Sequence, residues 1–342
     1  TNLSPLSLAC LVAPLAEMGS SRLLGAAAEW QVPIRFVQDY AATLEGIDAH
    51  TVSSLYHGGA KDDVVLYECK APVDPTAIGQ ARGTLTVIGL GPGAAEFMVP
   101  AAKAALVAAE DILGYETYVN MAGPFRADQV LHCTDNREEM LRARHAFELA
   151  AQGRRVVVVS SGDPGVFAMA SAVLEALHES DNDLWHAVDL QIYPGVSAAF
   201  ATAARAGAPL GHDFCVMSLS DNLKPWETIE KRLDHAAAGD FVLAFYNPIS
   251  KARPWQLGRA LDIIRAHRAD NTVVVLGRDI GRPAETLTTL TLAELKPEHV
   301  DMRTMVIVGS STTQRFARST QGDGRSGNEW VYTPRWYKGV CD

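Results

Sequence analysis

No two of the five cysteines stand as C-x-x-C; Cys10, Cys69, Cys133, Cys215 and Cys341 are scattered and odd in number. That spacing argues against a disulfide framework or a zinc site, and a reducing cytoplasm is the expected setting. The sequence also lacks any apolar run near the ~20 residues a membrane helix requires. Its first residues show no basic segment leading into an apolar one and a cleavage site, so a secretory leader is not expected. Basic residues are in deficit, 30 Lys and Arg against 40 Asp and Glu, for a net charge of −10. Such a chain is not expected to take nucleic acid as a main partner, although a local arginine cluster can still bind an anionic small ligand. H-E-x-x-H, G-x-S-x-G and a Walker loop are absent as well, which argues against protease, hydrolase and NTPase chemistry.

What is present suits a globular protein with a large core: 342 residues, 48% of them apolar. Residues 1–80 have their own character. Leu6–Ala13 and Ser21–Trp30 are expected helices, Pro14 ending the first. Pro33–Val37 and Asp62–Glu68 are expected strands, and Lys70–Arg82 is a linker. From Gly83 a pattern repeats: apolar run, Gly/Pro loop, amphipathic helix. The expected strands are Thr84–Gly89, Arg155–Ser160, Leu190–Tyr193, Phe214–Leu219, Phe241–Tyr246, Thr272–Leu276 and Met305–Val308. They are rich in Val, Ile and Leu with little alternation, as in strands buried on both faces. Expected helices include Pro100–Ala109, Pro225–Ala238 and Pro254–Arg268, each opened by proline. Another starts at a capping box of Asn136 and Glu139 and closes at Gly153. The pattern predicts an α/β fold with open, largely parallel sheets: a small N-terminal α/β extension (1–80), then two successive α/β domains (83–207 and 208–342). Gly207–Gly211 marks the boundary between the two.

In such sheets, ligands bind outside the carboxyl ends of the strands. Six loops occupy those ends: 89–93, 160–165, 194–198, 218–221, 246–248 and 277–279. Gly89-Leu90-Gly91-Pro92-Gly93-Ala94 formally matches a dinucleotide fingerprint, with Glu110 and Asp111 about 20 residues on. Two details oppose that reading. Pro92 removes an N–H from the phosphate cradle, and Asp111 precedes its apolar run instead of ending a strand. A plain strand-to-helix turn explains this loop alone equally well. Asp163 could similarly bond its own turn, Ser197 could cap the following helix, and Tyr246-Asn247-Pro248 could be a turn. His212 and Asp213, neighbours on a strand, are expected to face opposite sides and make poor partners. Arg137, Arg142 and Arg144 share one helix, while Lys224, Lys251, Arg253, Arg278, Arg282 and Arg335 flank the later loops. They are ordinary solvated charges unless several converge, in which case they suit a ligand rich in carboxylates.

Longer motifs carry a resemblance. They are Gly-Leu-Gly-Pro-Gly (89–93), Gly-Tyr-Glu-Thr-Tyr (114–118), Ser-Ser-Gly-Asp-Pro-Gly-Val-Phe-Ala-Met-Ala (160–170) and Gly-Ala-Pro-Leu-Gly-His-Asp-Phe (207–214). Ser-Leu-Ser-Asp-Asn-Leu-Lys-Pro-Trp (218–226), Phe-Tyr-Asn-Pro-Ile-Ser-Lys-Ala-Arg-Pro-Trp (245–255), Asp-Met-Arg-Thr-Met-Val-Ile-Val-Gly (301–309) and Thr-Pro-Arg (333–335) follow. In this order, from Gly83 to Tyr337, the chain resembles the tetrapyrrole methyltransferases of cobalamin biosynthesis, and within them the branch that methylates C17 of precorrin-3B. The resemblance implies S-adenosyl-L-methionine as methyl donor, S-adenosyl-L-homocysteine as product, a tetrapyrrole substrate and a homodimer. It implies a cofactor folded between the two α/β halves and lined by Pro92, Ser161, Gly162, Asp163, Ser197 and Ala198. Asn247 stands where relatives often carry methionine. A donor without phosphates agrees with Pro92. Residues 23–30 and 32–36 faintly resemble the carboxyl-terminal part of the lactone-opening protein of the same pathway.

A sulfonium methyl is already activated, so the protein must chiefly hold donor and pyrrole carbon in line and exclude water. The ring contraction that this branch performs loses a proton, for which Asp213, Asp221 and His212 are the candidate bases. Other readings stay open: a sister methyltransferase acting on cobalt-factor III, uroporphyrinogen, diphthamide or ribosomal RNA; a nicotinamide oxidoreductase; and a tetrapyrrole carrier without catalysis.

Overall fold

A segment such as Arg155–Ser160, with four consecutive valines, can be hidden only between two layers. All but its first residue are buried. The computed structural model describes residues 8–45, 49–55, 64–69, 71–135, 138–318 and 329–336. They group into two compact units: 1–88, 101–160 and 168–193 in the first, 89–100, 161–167 and 194–342 in the second. The expected capping box at Asn136 lies outside the described residues, as do Arg137 and Cys341.

The first unit opens with β1 (Leu11–Pro14), α1 (Ser21–Trp30), β2 (Ile34–Val37), α2 (Tyr40–Glu45), β3 (Ala49–Leu55) and β4 (Val64–Cys69). The expected helix over Leu6–Ala13 is not formed where it is described. Leu11–Pro14 instead pairs in parallel with Ile34–Val37, because tertiary pairing overrides local propensity in so short a run. Ala13, Met18 and Phe36 close a small core on Ala187. Gln80 Nε2 donates to the Ala151 carbonyl at 2.7 Å, and Arg82 Nε to that of Ala187 at 2.7 Å. The stretch expected as a linker is therefore tied down by hydrogen bonds.

The unit continues with β5 (Thr84–Gly89), α3 (Pro100–Ala108), β6 (Asp111–Tyr115), α4 (Glu116–Ala122), β7 (Val130–Thr134), α5 (Glu139–Ala151), β8 (Arg155–Ser160), α6 (Met169–His178), α7 (Asp183–Ala187) and β9 (Asp189–Tyr193). Its sheet has the order β7-β6-β8-β5-β9, and the pairs β6–β7, β6–β8 and β5–β9 are parallel. Leu85, Val87, Val156 and Val158 pack on Ala143, Phe147 and Val173 of the covering helices. Strands β6 and β7 went unforeseen because β6 is short and opens on Asp111, while β7 is an edge strand with an irregular, half-exposed pattern.

The second unit contains α8 (Ala198–Ala206), β10 (Gly207–Ala208), β11 (Phe214–Ser218), α9 (Trp226–Ala238), β12 (Val242–Tyr246), α10 (Gln256–Arg265), β13 (Val273–Arg278), β14 (Thr286–Thr291), β15 (Thr304–Val308), β16 (Gln314–Ala317) and β17 (Glu329–Tyr332). Its main sheet runs β11-β12-β15-β13-β14. Only β11–β12 is parallel; the other three pairs are antiparallel, which corrects the expectation of largely parallel sheets. The cause is burial on both faces. Leu243, Phe245, Val274, Leu276, Val306 and Val308 fill one core, and Val242, Ala244, Val273, Val275, Met305 and Ile307 fill the other. Strands with two apolar faces show no alternation whichever way they run. The α/β class holds for both units, and among the described residues no helix is long and apolar enough to cross a membrane.

Asp111 is the sharpest electrostatic feature of the first unit, its side chain only 1% exposed. Burial pushes its carboxyl up, but the Arg154 guanidinium and His132 Nε2, 2.9 Å away, outweigh this and hold it below the ordinary aspartate range. A carboxyl with a depressed folded-state pKa adds stability that is fully present above the unfolded value, about 4, and lost as pH falls through the folded one. Asp111→Asn should therefore cost about 1–3 kcal/mol at neutral pH. In urea unfolding followed from pH 7 down to pH 3, the variant should converge on the wild type at the acid end.

Candidate functional site

Three strand-end loops of the second unit meet where no side chain fits between them. A Cβ on Gly89 would lie 2.3 Å from the Gly162 carbonyl oxygen and 2.9 Å from Gly195 Cα, and one on Gly195 would lie 2.1 Å from Gly162 O. Gly91 and Gly162 exchange backbone hydrogen bonds of 3.1 and 2.8 Å, at φ of 70° and 68° that side chains rarely adopt. Asp163 completes the junction. Its Oδ1 accepts from the Gly165 N–H at 2.8 Å, as its own turn predicts, and its Oδ2 accepts from the Gly195 N–H at 2.9 Å. Pro92 packs on Gly281, where a Cβ would meet its Cγ at 2.9 Å, and its carbonyl accepts from Arg282 Nε at 3.3 Å. Ser161 stands half-buried on the same turn as Gly162.

Ser197 occupies the N-cap position of α8 and is buried, yet its hydroxyl makes no capping bond. Tyr246, at the end of β12, acts there instead: its hydroxyl accepts from the Ala199 N–H at 3.2 Å, one residue beyond Ala198. The Tyr246 ring meets Phe167 edge-on at 5.4 Å, and Lys224 Nζ lies 5.8 Å from the centre of the Phe167 ring. Burial pushes the Lys224 ammonium down, and the charge of Arg232 adds to that. Asn247 follows Tyr246 in the left-handed region, φ 48°, where asparagine is tolerated, and its Nδ2 donates to Ser218 Oγ at 3.0 Å. Backbone and side-chain contacts thus connect Pro92, Gly162, Asp163, Ser197, Ala198 and Asn247 through neighbouring loops of one unit. Phe167 belongs to the 160–170 motif and Tyr246 to the Tyr-Asn-Pro motif, although neither was singled out as a site residue.

Of the three candidate bases, His212 and Asp213 stand side by side before β11, and Asp221 lies in the loop after it. Asp221 is bound by Arg253 and, at 3.1 Å, by Gln256 Nε2. His212 and Asp213 precede β11 instead of alternating along it, so they touch after all. His212 Nδ1 accepts the Asp213 N–H at 2.8 Å and lies 3.6 Å from its carboxylate. Asp213 itself is 79% exposed.

The cations also separate. Arg142 is buried in the first unit, bound to Thr134 Oγ1 and the Asp135 carbonyl at 2.7 Å each. Arg144 pairs with Glu179, while Lys251 and Arg335 are exposed. Arg278 and Arg282 converge with Arg303 on Asp279, and Arg303 was not anticipated.

Replacing Asp163 by alanine should cost about 1–3 kcal/mol, because two backbone N–H groups lose their acceptor. Asp163→Asn, which keeps one carbonyl oxygen, should recover part of this in the same urea titration. Equal stability of D163A and the wild type would show that the loops do not depend on the carboxylate.

Residues 84–296 match the tetrapyrrole (corrin/porphyrin) methylases. The chain is 50% identical over 258 residues to a precorrin-3B C(17)-methyltransferase of a Sinorhizobium species, covering 75% of this chain and 98% of that protein. It is 42% identical to a probable cobalt-factor III C(17)-methyltransferase of Salmonella typhimurium, covering 67% of this chain and 93% of the relative. Among solved structures, the methyltransferase CobJ superposes with a TM-score of 0.67 at 50% identity, covering 74% of this chain and all of that one. With half of the 258 aligned residues identical along nearly the whole of the Sinorhizobium relative, and with the family match spanning residues 84–296, the chain belongs to the tetrapyrrole methylases.

Proposed function

We propose that this chain transfers the methyl group of S-adenosyl-L-methionine to C17 of precorrin-3B and contracts the macrocycle, releasing S-adenosyl-L-homocysteine, in cobalamin biosynthesis. The carrying observation is the junction of Gly89, Gly162 and Gly195, a backbone cradle that any Cβ would fill. It accompanies 50% identity to a precorrin-3B C(17)-methyltransferase along nearly its whole length. The loops fit the cofactor: their backbones come close, and Pro92 offers no N–H to a phosphate, which this donor lacks. Pro92, Ser161, Gly162, Asp163, Ser197, Ala198 and Asn247 are the residues we assign to it. When bound, S-adenosyl-L-methionine supplies an electrophilic sulfonium methyl.

The protein's part is to orient and to exclude water. Asp163 pins two loops at fixed spacing, Tyr246 holds the first turn of α8, and Asn247 is held by Ser218. For the proton lost on contraction, Asp213, Asp221 and His212 are the candidate bases we assign, Asp221 being tied to Arg253. We place the reaction in the cytoplasm and expect a homodimer; the free state of the four described cysteines agrees with a reducing compartment. The Salmonella relative supports a second reading in which the acceptor is cobalt-factor III.

Mass spectrometry after incubation with methyl-labelled donor and either acceptor tests the proposal. One label should appear at C17 of precorrin-3B; transfer only to cobalt-factor III would select the second reading. Intact S-adenosylhomocysteine binding without transfer to either would favour a carrier, and thermal stabilisation by NADH in place of S-adenosylhomocysteine would favour an oxidoreductase. Asp163→Leu should weaken S-adenosylhomocysteine binding by about a hundredfold or more in calorimetry. Retained affinity would remove Asp163 from the cofactor assignment.

A further inference from the structure

The turn after β13 gathers an unusual density of charge. Asp279 is buried, its side chain 1% exposed, and sits at φ 51°, a left-handed conformation costly for a residue other than glycine. Three arginines surround it. Arg303 approaches both oxygens, Nε at 2.7 Å from Oδ1 and Nη2 at 2.6 Å from Oδ2; Arg278 Nη1 is 3.0 Å from Oδ2, and Arg282 Nη1 3.7 Å from Oδ1. Arg278 Nε also binds Asp301 at 2.8 Å. Glu285, at the end of this turn, pairs with Arg205 of α8 at 3.2 Å. Three guanidiniums against two carboxylates leave one fixed positive charge, and arginine does not shed its proton at any physiological pH.

These groups are not sealed in the core. The side chains of Arg278, Arg282 and Arg303 are 37%, 31% and 51% exposed. Each guanidinium offers five N–H donors, more than these bonds use. The cluster also adjoins the first loop: Arg282 Nε bonds the Pro92 carbonyl, and a Cβ on Gly93 would lie 2.7 Å from Arg282 Cγ. Asp279 acts as a buried key that fixes three forked cations in one orientation, so a second carboxylate can be received without reordering long side chains.

We propose that Arg278, Arg282 and Arg303 form a carboxylate-binding subsite that holds an acetate or propionate side chain of the tetrapyrrole. This rests on the methyltransferase reading above and adds the residues that recognise the acceptor. Uroporphyrin III, a fluorescent porphyrin bearing both side-chain types, is the probe, titrated into wild type and Arg282→Gln, Arg303→Gln and Arg282→Lys. S-adenosylhomocysteine affinity is measured on the same samples. Arg282→Gln and Arg303→Gln should each raise the porphyrin Kd by about tenfold or more, and Arg282→Lys should recover part of the loss; in Arg303→Gln the S-adenosylhomocysteine Kd should stay within about twofold. Porphyrin affinity should also fall with added salt. Unchanged porphyrin Kd in both glutamine variants, a parallel loss of both ligands in Arg303→Gln, or no porphyrin binding by wild type would each overturn the subsite. Failure of wild type to bind S-adenosylhomocysteine is a separate outcome that removes the methyltransferase reading, while the porphyrin titration still judges the arginines.

Discussion

Asp163 holds the Gly165 and Gly195 N–H groups on its two oxygens, and much of the second unit's loop geometry follows from this single carboxylate. Loops of glycine and proline bring little of their own: they have few side chains to pack and high conformational freedom in the unfolded chain. A bridging carboxylate replaces water for two donors at once and holds one loop against the next at hydrogen-bond distance. Only then can Gly89, Gly162 and Gly195 approach so closely that their backbones replace side chains as the surface a ligand would meet.

Around that junction, polar groups do positional work more often than chemical work. Tyr246 serves the first turn of α8, Ser218 serves Asn247, and Arg253 with Gln256 binds Asp221. The absence of an obvious nucleophile in the sequence fits methyl transfer, whose donor is already activated and whose acceptor carbon is electron-rich. In such a reaction the protein gains most by fixing distances and directions. The Asp279 cluster follows the same logic in charged form, a buried anion used to orient cations.

Several elements were legible because their signals are local. Val-rich β8, the proline-opened helices and the strand-end loops depend on residues adjacent in sequence, and they stand where expected within a few residues. The loop residues we assign to the cofactor rest on long motifs in fixed order. What stayed hidden depended on distant partners. Leu11–Pro14 is a strand only because Ile34–Val37 lies beside it. The direction of β15 between β12 and β13 leaves no trace in strands apolar on both faces. His212 was judged against a strand geometry that begins only at Phe214, two residues later.

By itself, the sequence determined the α/β class, the places where loops must bend, and the loss of one phosphate-facing donor at Pro92, since proline has no N–H in any fold. It also determined that arginines flank the later loops, but not what they do there. Tertiary structure alone decided that Arg142 is buried in the first unit, that Arg253 is spent on Asp221, and that Arg278 and Arg282 join Arg303 around one buried aspartate. The reason is physical: an arginine's role is set by the counter-charge and solvent it meets, and those partners lie far away along the chain.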